Sequence, residues 1–90
     1  MTEPLDLARE ALEGTRVWLV GGALRDRLLG RPVDDLDLVV DGDAGAAAKQ
    51  LARAVRGPAF ELSDAFGAWR VIGPGRAWHA DLSPLHGGNI

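Results

Sequence analysis

From Val17 to Val40 the chain reads VWLVGGALRDRLLGRPVDDLDLVV, and this stretch decides the fold. It opens on a brief apolar run rich in β-favouring residues, Val17 to Val20, stopped by Gly21 and Gly22. A short apolar run bounded by turn residues is the pattern of a buried strand. A helix is predicted from Ala23 to Leu29, closed by Gly30 and then by Pro32, so that strand, double glycine and helix form one unit. Leu36 to Val40 is predicted as a second strand, entered directly from the acidic Asp34 and Asp35.

Outward from that unit the punctuation is equally plain. Upstream, Leu5, Ala8, Ala11 and Leu12 recur at helical spacing after Thr2 and Pro4, and Gly14 can end the helix they define. Downstream, Asp43 is a candidate cap for a helix from Ala44 to Arg56, which Gly57 and Pro58 terminate. Ala68 to Ile72 and Ala77 to Leu82 are predicted strands joined by a hairpin turn over Gly73, Pro74, Gly75 and Arg76, and Ala59 to Leu62 adds an edge strand. The order of elements implies an α+β domain with a small mixed sheet and its helices on one side. There is no internal repeat, linker or low-complexity segment.

Ninety residues make one small domain at most, and with 47% hydrophobic residues it is expected to fold. The absence of cysteine excludes disulfides and thiolate metal sites, leaving carboxylates and two histidines as ligands, a set that suits a hard cation better than zinc. No stretch approaches membrane-spanning length and the acidic N-terminus is unlike a signal peptide, so a cytoplasmic protein without a membrane partner is expected. A formal charge of −3 argues against a strong grip on nucleic acid by this domain alone. Lys49 is the only lysine; the arginine excess fits the coding bias that also raises Ala and Gly.

The chemistry begins with Asp35 and Asp37. Residues two apart on a strand point to the same face, so this pair projects its carboxylates side by side. Magnesium takes one or two protein carboxylates and keeps positions for water and substrate phosphates, which makes such a pair suited to phosphoryl transfer. Asp37 also interrupts an apolar strand, where an unpaired charge is costly. Alone, D-x-D reads as a solvated strand edge. Its context is Gly21, Gly22 and Arg25 at a strand-to-helix turn, where glycine lets a phosphate approach the backbone and a helix start favours an anion. Arg25 can add a forked contact to a triphosphate. The competing dinucleotide-binding and P-loop readings fail on spacing, because neither G-x-G-x-x-G nor G-K-[ST] occurs.

Taken together, Leu19 to Asp26, Leu28 to Pro32 and Asp35 to Val39 closely resemble the signature of the tRNA nucleotidyltransferase and poly(A) polymerase family, the class II CCA-adding enzymes and their relatives. The signature couples G-G-x-x-R-D, L-L-G-R and D-x-D at fixed separations, which makes it far more specific than its pieces. The resemblance implies a polymerase β-like nucleotidyltransferase head, with Asp35 and Asp37 as the magnesium-binding carboxylates and Gly21, Gly22 and Arg25 beside the nucleotide's triphosphate. Asp26, the helix-start acid of that signature, is expected to pair within the fold, and Arg31 to take a structural role at the turn. Asp81, in a segment similar to the one that brings a third acidic residue beside the pair, becomes a candidate catalytic carboxylate, binding metal or accepting the proton of the attacking hydroxyl.

The implied reaction is attack by an RNA 3′-hydroxyl, that of tRNA above all, on the α-phosphate of ATP or CTP, with release of pyrophosphate. Family members continue beyond the position of Ile90 into regions that select the base and hold tRNA, so residues 1–90 are expected to be part of a longer catalytic unit. The alternative is a non-catalytic metal- or nucleotide-binding fragment of the same fold. Around this centre, His79 and His86 receive no role; Trp18, Trp69 and Trp78 are expected to pack, and Arg70 and Arg76 to be solvated beside the hairpin.

Overall fold

The structure is a computed structural model of the chain and describes residues 4–21, 28–30 and 34–85. Among these, the order is α1 (Pro4–Ala11), β1 (Val17–Val20), β2 (Asp35–Val40), α2 (Ala44–Val55), β3 (Ala59–Ser63), β4 (Ala68–Ile72), a 3-10 turn at Pro74–Arg76, and β5 (His79–Pro84). The helix expected over Ala23 to Leu29 lies almost wholly outside the described residues.

The five strands form one sheet in the order β1-β2-β5-β4-β3. β5 runs parallel to β2, while the other neighbours are antiparallel, so the sheet is mixed as expected. A parallel pair needs a long crossover. Here the crossover is α2 followed by the β3–β4 hairpin, and it leaves β2 and β5 paired at the centre.

Alternation along the central strands separates two faces. Leu36, Leu38 and Val40 of β2, Ala80 and Leu82 of β5 and Val71 of β4 point inward and are almost wholly buried. They meet Ala44, Ala47, Ala48, Leu51, Ala52 and Val55 of α2, and Ala8 and Leu12 close the same core from the α1 side. The alanines let α2 lie close to the sheet. Each large aliphatic side chain removed from water stabilises the fold by about 1.5–3 kcal/mol. Gln50 joins the two helices by donating from Nε2 to the Ala11 carbonyl at 2.6 Å, satisfying one of the acceptors left open at the end of α1.

Several boundaries differ from the sequence reading. α2 stops at Val55, and Arg56 rather than a glycine adopts the left-handed cap conformation, with φ 56°. Gly57 follows because a Cβ there would collide with the Ile72 carbonyl oxygen. β2 begins at Asp35, one residue before the expected Leu36, and β5 begins at His79 rather than Ala77.

The β4–β5 connection is longer than the four-residue turn expected. Trp78 leaves the ladder and turns into the core, 7% exposed, while its carbonyl accepts from the Gly73 N–H at 2.8 Å. The first pair of the hairpin is therefore Ile72 with His79. Trp69 packs partly against the core, but Trp18 corrects the expectation for all three tryptophans: it is 41% exposed, on the face away from the core, with the Arg16 guanidinium 5.8 Å from its ring centroid.

Candidate active site

The sheet face that neither α1 nor α2 covers carries the polar residues of the central strands. Asp35 and Asp37 are both exposed, whereas Leu36 and Leu38 on either side of Asp37 are buried, so the two carboxylates leave β2 on the same side. Parallel register sets His79 opposite Asp35 and Asp81 opposite Asp37. Antiparallel register then sets Arg70 of β4 opposite Asp81. Arg70, Asp81 and Asp37 thus form one row across three strands.

At the β1 end of that row, Val20 pairs with Asp37, and Gly21 follows with φ 75°. A Cβ on Gly21 would sit 3.1 Å from Asp37 Oδ2, tighter than ordinary contact. Glycine is required twice over, by the left-handed backbone and by the carboxylate beside it. The sequence-predicted corner therefore abuts the sequence-predicted acid. Gly22 and Arg25, expected to contact the triphosphate, lie outside the described residues, as do Asp26, Arg31 and His86.

Two residues without a site role in the sequence reading are engaged here. Arg70 was expected to be solvated; instead its Nε donates to Asp81 Oδ1 at 2.7 Å and its Nη2 to Asp81 Oδ2 at 2.9 Å. This forked bond to Asp81 raises the Arg70 pKa above its ordinary value, outweighing the opposing effect of burial, and the nearby charges of Asp81, Asp35 and Asp37 each add a lesser increase. His79 Nε2 lies 3.0 Å from Asp35 Oδ1.

The signal for Arg70 was present but misaligned. A charged residue in the apolar strand Ala68 to Ile72 invites a partner, yet a four-residue turn would pair Ile72 with Ala77 and carry Arg70 to His79. The longer connection shifts the pairing by two residues and delivers Arg70 to Asp81.

Asp35 and Asp37 suit a hard divalent cation. They are oxygen donors, they share a face, and the missing Cβ of Gly21 keeps space open at Asp37 Oδ2. Among the described residues, no three acidic or histidine side chains gather closely enough to form a larger ligand cluster.

Among the described residues, a mixed sheet with both helices on one face, an acidic pair on the other and a glycine turn at the pair's edge is the frame of a nucleotidyltransferase head. Residues 17–75, well over half the chain, match the family described as the poly A polymerase head domain. The chain belongs to that family. It is 38% identical over 77 residues to the CC-adding tRNA nucleotidyltransferase of Geobacter sulfurreducens, a match covering 86% of this chain and 18% of the relative. Its fold is similar to a CCA-adding enzyme in complex with CTP, with a TM-score of 0.77 and 29% identity over 92% of this chain and 21% of the other. The Thermotoga maritima CCA-adding enzyme complexed with tRNA-CCA gives a TM-score of 0.75 and 28% identity, covering 96% of this chain and 22% of that one. The chain therefore spans about a fifth of the length of these relatives.

Proposed function

We propose that the chain is the catalytic core of an RNA 3′-terminal nucleotidyltransferase, transferring AMP or CMP from ATP or CTP to an RNA 3′-hydroxyl, that of tRNA, with release of pyrophosphate. The observation that carries the reading is the pair Asp35 and Asp37, exposed on one face with Gly21 against Asp37 Oδ2 and Asp81 in register beside it. Family membership and the nucleotide and tRNA complexes of its structural neighbours support the substrate class.

In this reading Asp35 and Asp37 hold magnesium, which when bound supplies charge neutralisation for the triphosphate and activation of the attacking hydroxyl. The chain's own residues do the rest. Gly21 and Gly22 admit the triphosphate to the backbone, and Arg25 grips it with a fork. Asp81 is the third carboxylate, next to Asp37, with its oxygens held by Arg70. The domain's charge of −3 leaves most of the RNA grip to regions outside residues 1–90.

The test is nucleotide binding by the chain with and without magnesium, repeated with Asp37→Ala. Magnesium-dependent affinity for ATP or CTP that is lost in Asp37→Ala is expected. An affinity that is absent, or indifferent to both magnesium and the substitution, removes the reading and leaves a non-catalytic member of the family.

A further inference from the structure

Arg70 stands one strand beyond Asp81, at the same level as Asp37, and the proposed reaction uses it only to hold Asp81. Its contact with Asp81 is not an incidental surface pair. Both carboxylate oxygens accept from one guanidinium, at 2.7 and 2.9 Å, and the two side chains retain only 33% and 27% of their exposure. A fork of this kind is stronger and more directional than a single bond, and partial burial weakens its screening by salt. Register alone brings Asp81 beside Asp37, yet with its oxygens on Arg70 it does not gather with Asp35 and Asp37 into a three-ligand cluster.

Three carboxylates on two adjacent strands need positive charge, and Arg70 supplies one unit from β4. A divalent cation held by Asp35 and Asp37 would supply two. We propose that Arg70 and a divalent cation compete for Asp81, so that Asp81 joins Asp35 and Asp37 only by giving up the guanidinium and Arg70 lowers the cation affinity of the site. This rests on the magnesium reading of Asp35 and Asp37 given above. Arg70 is in this sense a positioning residue, acting through the carboxylate it holds. Its effect on cation affinity is opposite in sign to that of a residue that merely holds Asp81 in a metal-binding pose.

Manganese binding to the chain, followed by calorimetry or by loss of the free-ion paramagnetic signal, tests the competition without recourse to activity. Arg70→Gln is expected to tighten manganese binding about fivefold, the scale of one partly exposed charged bond. Arg70→Lys keeps the charge but loses the fork, and should tighten it by a smaller factor. In an Asp81→Asn background most of the gain from Arg70→Gln should vanish. Circular dichroism checks each fold, and Arg70→Lys carries the test if Arg70→Gln does not fold.

Unchanged or weaker binding in the folded Arg70 variants overturns the proposal. So does an equal gain in the Asp81→Asn background, which would mean that Arg70 acts only through its field. Manganese binding that is absent, or that Asp37→Asn leaves intact, overturns the magnesium reading and this proposal with it. Binding that Asp37→Asn abolishes while the Arg70 variants leave it unchanged removes the Arg70 proposal alone.

Discussion

Gly21 and Asp37 show how narrowly single residues constrain the site. Alanine at position 21 would have to hold φ 75° and keep its Cβ 3.1 Å from Asp37 Oδ2. Gly21→Ala is therefore expected to cost about 1 kcal/mol in stability through the backbone alone. It should also turn the Asp37 carboxylate away and weaken manganese binding, read by urea unfolding and by metal titration on the same sample. His79→Gln should behave differently. The His79–Asp35 pair has an Asp35 side chain that keeps 71% of its exposure, so its removal should change the unfolding free energy from urea titration by less than about 0.5 kcal/mol. Asp35 and Asp37 were legible in the sequence because a strand's period of two is a local rule. His79 and Arg70 were not, because their partners are fixed by registers between strands, and a register depends on the length of every connection crossed.

At the scale of the element, α2 carries its own start and stop signals. Asp43 Oδ1 accepts from the Ala46 N–H at 3.1 Å, an N-cap the sequence had shown. Asp43→Ala should cost about 1 kcal/mol, lowering the thermal midpoint by roughly 4–8 °C. The other end was misread by one residue. Gly57 looked like the natural owner of the left-handed position, but the Ile72 carbonyl requires a residue without a Cβ at 57, and the positive φ falls on Arg56. Arg56→Gly is expected to stabilise the fold by about 0.5–1 kcal/mol in urea unfolding, since Arg56 is exposed and tolerates the strain only for lack of an alternative. The hairpin shows the same kind of error. Gly73, Pro74, Gly75 and Arg76 form a turn as read, but the burial of Trp78 lengthens the connection, and no local rule in the sequence says that this tryptophan enters the core.

Across the whole molecule, the fold class followed from the order of strands and helices, and the family from the spacing of its glycines, arginine and aspartates. The strand order did not, because pairing β5 between β2 and β4 is a decision taken over half the chain. One core serves all five strands, and Leu51 of α2 lies at its centre with no exposed surface. Leu51→Ala should remove about 2–5 kcal/mol, enough to unfold much of a domain this small, as near-ultraviolet circular dichroism would report.

The central position of β5 has a consequence for synthesis on the ribosome. When the nascent chain has emerged only as far as Arg76, β1 with β2 and β3 with β4 can exist as two ribbons, but nothing joins them along their inner edges. Asp37 then has no neighbour in Asp81, and Arg70 has no carboxylate to clasp. β5, which emerges after the other four strands, both unites the sheet and assembles the acidic row, a distant pairing of the kind that folds slowly. An emerging chain thus has no acidic row until β5 has entered the sheet.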